Sequence, residues 1–405
     1  MNDAQAIERV LSRGVEAIYP NPEALKKKLE EKLENGERLR FYLGIDPTGP
    51  TLHLGHVVPL IKLRHLQELG HEIILLIGDT TATIGDPDKL DVRKPLTREK
   101  VAENARLYKE HASRILDFKG KNAAKFMYNS TWLDKMDISD VLMLASHTTV
   151  QQMLERDMFE RRMAEGRPIY LHEFMYPLMQ GYDAVAMGVD GEVGGNDQTF
   201  NMLMGRTLLR QYKSKEKFVI AMKIIADNEG VKMGKTTGNM VAFTDSPTDM
   251  FGKIMSMDDT FILLGFELFT LVPDDEIAEV ATQLATGVNP RDLKLRLAQD
   301  VVALLVGEEA AEEALVDWQN TFQKGGTPEG IPTVSATLGD TLIDVVVLAE
   351  IAPSRAEFRR LISQGAIKIV REGGESEPIL TADAKINASA IYKIGKHRFL
   401  HIKIV

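Results

Sequence analysis

The chain has 405 residues, 44% of them apolar and 27% charged, with a net charge of −10 and no cysteine. That length excludes one ordinary domain and calls for two or three, and the lack of cysteine excludes disulfides, thiol catalysis and cysteine-based metal sites. The polar N-terminus MNDAQAIERVLSRG has no apolar signal core, and no run approaches the ~18 apolar residues of a membrane span, so a cytoplasmic protein without a membrane partner is expected. The negative charge disfavours non-specific nucleic-acid binding by the whole surface. It is uneven, however: Thr341–Val405 carries ten Lys/Arg against seven Asp/Glu, a net of +3 on a body of −13. A basic tail on an acidic body points to a local anionic partner.

Residues 1 to 38 read as a helical, solvated entry segment, in which Asn21-Pro22 opens a Glu/Lys-rich helix over Glu23–Leu33 and Asn35-Gly36 closes it. Leu39–Ile45 is an apolar strand that runs into a Pro/Gly/Thr turn, Asp46–Thr51. An amphipathic helix follows, with apolar Leu54, Val57, Val58, Ile61, Leu66 and Leu69, and Gly70 stands where it ends. Glu72–Ile77 is a second apolar strand, which completes a βαβ unit with a parallel pair. Ligands in such sheets bind where strands end and helices begin, a junction that here carries Asp46, Thr48, His53, Gly55 and His56.

Residues 88 to 170 read as a mainly helical insertion: a helix from Leu96-Thr97 to about Ile115, a short strand at Phe126–Tyr128, and a mostly helical stretch over Ser139–Ala164, with a subunit interface expected over residues 130 to 165. A second half-sheet follows, with a helix over EFMYPLMQGYDAVAMGVD, a strand approaching Glu192–Gln198, an amphipathic helix in FNMLMGRTLLRQY and a strand-like FVIAMKIIAD. The polar loop DNEGVKMGKTTGN comes next, then helix from Pro247 to about Lys324, a Gly/Pro-rich linker at Gly325–Pro332, and a tail with one helix around Ser354–Ser363 among short β-like runs.

Four constellations carry chemistry. His53 and His56 are three apart at a helix start, where orphan N–H groups and the positive dipole end make a phosphate site to which imidazoles add donors. Gly55 lets a flat ring approach the backbone, and Thr48 adds a hydroxyl. Taken alone, two histidines capping a surface helix is the commoner reading, and a metal site lacks a third ligand in the sequence nearby. Lys232-Met233-Gly234-Lys235-Thr236 holds two lysines around a glycine, suited to clamping a triphosphate but equally a solvated basic loop; it lacks the spacing of a Walker loop. Gly194-Gly195-Asn196-Asp197-Gln198 allows close backbone contact with a ligand and offers Asp197 to ribose hydroxyls, or is a tight turn. Tyr176, Gln180 and Asp183 share one helix face, wet or turned into a cavity that Tyr42 and Asp86 reach from the sheet.

Taken together these pieces resemble a known family. HLGH and KMGKT match the HIGH and KMSKS patterns of class I aminoacyl-tRNA synthetases, the second with Gly and Thr in place of two serines. YLGIDPT, TIGDP, YxxxQxxD and GGNDQ together are similar to tyrosyl-tRNA synthetases of the bacterial type, and SRAEFRRLISQGAIKI with IGKHRFLHIKI resembles the S4 RNA-binding domain that family carries. The resemblance runs from about Arg38 to Val405. It implies an α/β fold: a Rossmann-like parallel-sheet catalytic domain over 1–240 with its helical insertion, an α-helical tRNA-binding domain over 241–325, a linker over 326–337 and a small α+β S4-like domain over 338–405.

The resemblance also implies roles position by position. Tyr42 and Asp183 stand at the phenol hydroxyl of tyrosine, Tyr176, Gln180 and Asp86 at its ammonium, and Gln198 at its carboxylate. Gly44, Asp46, Gly195 and Asp197 stand at the adenosine, Thr48 and His53 at the γ-phosphate, Gly55 and His56 by the ribose and base. Lys232, Lys235 and Thr236 belong to a mobile loop over pyrophosphate. Arg355, Arg359, Arg360, Lys396 and Arg398 face tRNA phosphates. The implied substrates are L-tyrosine, ATP carrying Mg²⁺, and tRNA(Tyr), with no protein-bound metal, in a homodimer. Glu192 departs from relatives that have Gln there. The rivals are a tryptophanyl-tRNA synthetase, another nucleotidyltransferase with an HxGH site, and a noncatalytic RNA-binding relative.

Overall fold

A computed structural model describes residues 2–87, 96–225, 240–322, 332–349, 351–370, 376–395 and 398–405. They form two compact units, one of Met1–Asp245 with Met257–Val306, the other of Ser246–Ser256 with Gly307–Val405.

The first unit is built on a six-stranded sheet ordered β1-β6-β5-β2-β3-β4. Its strands are β1 (Val15–Tyr19), β2 (Arg40–Ile45), β3 (Glu72–Ile77), β4 (Lys125–Tyr128), β5 (Gly191–Gly195) and β6 (Phe218–Met222). All neighbours are parallel except β1, which runs antiparallel to β6. From the central pair, β2 leads outward to β3 and β5 leads the other way to β6, so the strand order reverses between β2 and β5. A crevice opens at such a point beyond the carboxyl ends of the strands.

The expected βαβ unit is present: β2 and β3 pair from Arg40↔Glu72 to Ile45↔Ile77, joined by the helix Leu54–Glu68. Continuous apolar runs make both strands, because helices cover both faces of a parallel sheet. After the half-buried Arg40, Gly44 breaks the burial of β2, and it does so at the crevice.

Two expectations change. Residues 1 to 38 are not all helical, and they are solvated on one face only. Gly14, at φ 67°, ends the first helix, Asp3–Ser12, and starts β1. The helix Pro22–Glu34, capped by Asn21 as expected, sinks Leu25 and Leu29 to zero exposure. The segment VEAIY escaped notice because it is a short edge strand with a single fully buried residue, Ile18. The long helix expected through Ile115 is broken into Arg98–Ala105 and Tyr108–Ala112, and the break turns Tyr108 and His111 inward. The stretch Ser139–Ala164 is mostly helical, as expected, in three short helices, Ile138–Ala145, Val150–Leu154 and Asp157–Ala164.

The helices Leu171–Met187 and Thr199–Lys213 pack closely because each brings a glycine to the crossing: a Cβ on Gly181 would lie 3.0 Å from the Gly205 backbone nitrogen. This packing fixes the first of these helices as one wall of the crevice.

The second unit contains the helices Pro247–Met255 and Glu308–Phe322, in contact through Phe251 and Trp318 with ring centroids 6.0 Å apart. It also contains a five-stranded sheet ordered β7-β11-β10-β8-β9, from β7 (Thr333–Ala336), β8 (Ile367–Val370), β9 (Ser376–Pro378), β10 (Ala390–Ile394) and β11 (Arg398–Ile404). Residues 333–336, read as linker, are thus an edge strand parallel to β11 that buries Ala336. Besides the expected helix, here Arg355–Ser363 capped by Ser354, there is a second one, Leu342–Leu348. Its valines read as strand, but Leu342, Ile343 and Val346 are buried at helical spacing and join Phe358, Leu361 and Ile394 in one core.

Leu25→Ala should cost about 2–5 kcal/mol of stability, the usual price of a core leucine. Urea denaturation of the full chain measures it, and a loss below about 0.5 kcal/mol would return residues 22–34 to the solvated reading.

Candidate active site

A cavity of about 350 Å³ lies at the carboxyl ends of β2 and β5. Gly44, Asp46, Thr48, His53, Gly55 and His56 reach it from the first half of the sheet, with Asp86. Tyr176, Gln180, Asp183, Gly195, Asp197 and Gln198 reach it from the second. Residues far apart in sequence therefore share one space, as expected of them. Tyr42 does not line it. Its ring is buried among Ile74, Leu76, Ala184, Met187 and Val189, behind the wall. Its hydroxyl has no hydrogen-bond partner by geometry, and burial, then the charges of Glu192 and Asp183, push it well above the usual phenol range.

The turn after β2 is held from outside. Asn104 Nδ2 donates to the Pro47 carbonyl at 2.8 Å and the Tyr108 hydroxyl to the Gly49 carbonyl at 2.6 Å. Burial raises the Tyr108 hydroxyl to about 12, so it stays a donor. Thr48 N donates to Asp46 O at 2.7 Å, and Thr48 is left exposed at the mouth. The Asp46 carboxylate accepts from Thr81 Oγ1 at 2.8 Å and from the Tyr176 hydroxyl at 2.9 Å. A Cβ on Gly78 would lie 2.0 Å from Asp46 Oδ1, so only glycine leaves room there.

His53 caps the helix Leu54–Glu68. Its Nδ1 accepts from Gly55 N at 3.1 Å, and His56 Nδ1 accepts from His53 N at 3.2 Å. The two rings lie 4.1 Å apart. A neutral imidazole that accepts at Nδ1 carries its proton at Nε2, so capping leaves both rings as donors. The capping reading is what the structure shows, and it is compatible with the donor reading. The helix start is pinned by Leu54 N donating to Val241 O and Phe243 N donating to Leu52 O, at 3.0 Å each. Lys232, Lys235 and Thr236 lie outside the described residues, as does Lys396.

The remaining carboxyl groups are held partly by Gln180 and Gln198, which the motifs single out, and partly by Trp132, Asn129, Arg156 and Lys217, which no motif marks. Asp183 accepts from Trp132 Nε1 at 2.8 Å and Asn129 Nδ2 at 3.2 Å, both from the insertion. Burial pushes its carboxyl well above the usual range; Trp132 and Asn129 oppose that, and the charges of Glu192 and Asp46 add to it. Asp86 accepts from Arg156 at 2.7 Å and Gln198 Nε2 at 2.8 Å. Glu192 accepts from Lys217, and its other oxygen from Gln180 Nε2 at 3.4 Å. Only contact in the folded chain reveals Trp132, Asn129, Arg156 and Lys217 as donors, because their spacings along the sequence follow no pattern.

In the second unit the expected basic cluster is partly neutralised. Arg355 pairs with Asp344, and Arg360 and Arg398 with Glu357, at 2.8 and 3.8 Å for the latter two. Arg359 is exposed on the same helix.

The chain matches the family model described as tRNA synthetases class I (W and Y) over residues 34–323. It is 45% identical to the tyrosine--tRNA ligase of Carboxydothermus hydrogenoformans, over 97% of this chain and 96% of that protein. It is 43% identical to that of Moorella thermoacetica, over 97% and 95%. The chain belongs to the tyrosine--tRNA ligase family of class I tRNA synthetases. Among solved structures, tyrosyl-tRNA synthetase from Archaeoglobus fulgidus, complexed with L-tyrosine, is similar at a TM-score of 0.60 and 26% identity, covering 78% of this chain and 100% of that one. Family membership places ATP among the substrates, and no helix among the described residues is long and apolar enough to cross a membrane.

The Asp183 carboxyl yields a stability prediction. A folded carboxyl raised above its unfolded value near 3.9 binds protons more tightly than the unfolded chain does, so stability falls as pH rises through that window. Asp183→Asn removes the titration. The stability of this variant relative to the parent should therefore improve steadily as pH rises from about 4. Thermal melts across pH check it, and a pH-independent difference would refute it.

Proposed function

We propose that the chain activates L-tyrosine with ATP, forming tyrosyl-adenylate and pyrophosphate, and then passes the tyrosyl group to the 3′-terminal ribose of tRNA(Tyr). The observation that carries this is Asp183, a buried carboxyl at the cavity wall, fixed by Trp132 and Asn129. A carboxyl that burial drives toward protonation gains most from a neutral hydroxyl donor, which a phenol supplies and a phenylalanine ring does not. Tyr42 stands close behind as the second polar group of that end.

Tyr176, Gln180 and Asp86 receive the ammonium and Gln198 the carboxylate. On the other side Gly44, Asp46, Gly195 and Asp197 take the adenosine, and Gly55 and His56 the ribose and base. Glycine at 55 supports this: a Cβ there would lie 2.9 Å from His53 Cε1. Thr48 and the His53 Nε2 donor face the γ-phosphate, and Lys232, Lys235 and Thr236 add donors to the pyrophosphate.

The tyrosine carboxylate oxygen attacks the α-phosphorus in line. That P–O bond forms as the bond to the β-phosphate oxygen breaks and pyrophosphate leaves. No protein nucleophile takes part, so the residues act by positioning and by stabilising the charge that develops. The ribose hydroxyl of tRNA then attacks the carbonyl carbon, and AMP leaves. Magnesium enters as Mg–ATP, riding on the phosphates. The commitment of Asp46, Asp86, Asp183 and Glu192 to protein donors fits that role better than a metal held by the protein.

The helices over 241–325 and the S4-like tail over 338–405, with Arg355, Arg359, Arg360, Lys396 and Arg398, contact tRNA phosphates. The chain acts as a cytoplasmic homodimer. Exposed Ile138, Leu142, Met143 and Leu171, on the insertion and the helix that follows it, support the dimer, because large apolar side chains left in water mark an interface.

Pyrophosphate exchange should run with tyrosine and fail with tryptophan or with no amino acid; exchange driven by tryptophan would overturn the assignment. His53→Ala should slow exchange roughly 10²- to 10³-fold with little change in tyrosine binding, and a two-fold effect would remove His53 from the phosphate site. Deleting residues 333–405 should spare exchange and weaken tRNA charging, and full-rate charging would refute the role of the tail.

A further inference from the structure

The deepest charges near the cavity are not accounted for by any of these roles. Lys217, one residue before β6, has no exposure, and its ammonium donates to Glu192 of β5, itself 3% exposed. The other Glu192 oxygen accepts from Gln180 Nε2 at 3.4 Å. Gln180 Oε1 is buried and has no partner, although Gln180 lines the cavity. Lys217 Nζ sits 5.6 Å from the centroid of the Tyr42 ring. It fits there because residue 205 is glycine: a Cβ at that position would lie 2.6 Å from the ammonium.

We propose that Lys217 is a positioning residue of the amino-acid site, which acts through Glu192 to fix the end of the Gln180 amide that faces the substrate. This rests on the reading of Gln180 as an ammonium-binding group. An ionised carboxylate only accepts hydrogen bonds. Facing one, the Gln180 amide must turn its NH₂ toward Glu192 and leave its carbonyl for the cavity. A carbonyl is what an ammonium requires; the NH₂ end would repel it. Lys217 keeps Glu192 an acceptor, since a buried carboxylate without a partner is neutralised and gains a donor hydrogen. Gln180 would then be equally content with its amide reversed.

The pair is a poor explanation of stability by itself. Desolvating two charges cancels much of their attraction, and well-packed apolar side chains of the same size do as well or better. Retaining a lysine and a glutamate beside the amino-acid wall is instead consistent with a directional task. The chain has three members, each from a different element: Lys217 at the start of β6, Glu192 on β5 and Gln180 on the helix Leu171–Met187.

The test compares L-tyrosine with 3-(4-hydroxyphenyl)propionate, which keeps the phenol and the carboxylate but lacks the ammonium. Dissociation constants are measured on the full chain for the parent, Lys217→Met and the double variant Lys217→Met with Glu192→Gln. The double variant removes both charges together, so it serves where the single one fails to fold. Glutamine at 192 both donates and accepts, which abolishes the bias on Gln180. In each folded variant L-tyrosine should weaken by about tenfold or more, the worth of a hydrogen bond to a charged group, while the analogue changes by less than about twofold. Equal weakening of both ligands would reduce Lys217 to packing, and undiminished L-tyrosine binding in the double variant would overturn the relay. Failure of the parent to bind L-tyrosine would sink the proposed function instead.

Discussion

Five carboxyl groups line one cavity; Asp197 is exposed, and the other four, half-buried or buried, are costly unless a donor meets them. Asp46 is met by Thr81 and Tyr176, Asp86 by Arg156 and Gln198, Asp183 by Trp132 and Asn129, Glu192 by Lys217 and Gln180. These donors come from the insertion, the helix Leu171–Met187 and the segments that flank the strands, so the cavity is a joint product of elements that could not hold its charge separately. A half-satisfied network of this kind would be worse than an apolar wall. The same satisfaction fixes the direction in which each acid presents its remaining lone pairs, and that turns a stability requirement into recognition.

The helix start on the opposite side works by the same economy. His53 and His56 use Nδ1 to satisfy backbone N–H groups that a helix start leaves orphaned, and so they keep Nε2 as the donor. Residues 241–243 bond to residues 52–54 and hold that start in place. The turn before it is braced by Asn104 and Tyr108 from two helices of the insertion. The structural duty thus occupies one nitrogen of each ring and leaves the other for the proposed chemistry.

Much of this was legible in the linear chain. The βαβ unit stood out because apolar runs of six residues and a helical period do not need tertiary help to be seen, and the Asn21, His53 and Ser354 caps carry the local chemistry that starts a helix. The cavity residues could be grouped because four short motifs occur together. The misses have equally physical causes. β1 is a half-buried edge strand whose pattern is too weak to read. Leu342–Leu348 is a helix written in valines, which tertiary packing allows against their own preference. Tyr42 was expected at the cavity and lies behind its wall.

What the sequence determined by itself was the parallel α/β core and the set of polar residues brought to the ends of its strands. Periodicity and motif spacing are local properties, and they survive without the fold. What only the tertiary structure decided was how those residues are held. Arg156, Trp132, Asn129 and Lys217 lie from 25 to 70 positions away from the acids they serve, and no spacing rule connects them. Their pairing follows from burial, which demands a partner for each charge but leaves the fold to choose which side chain provides it.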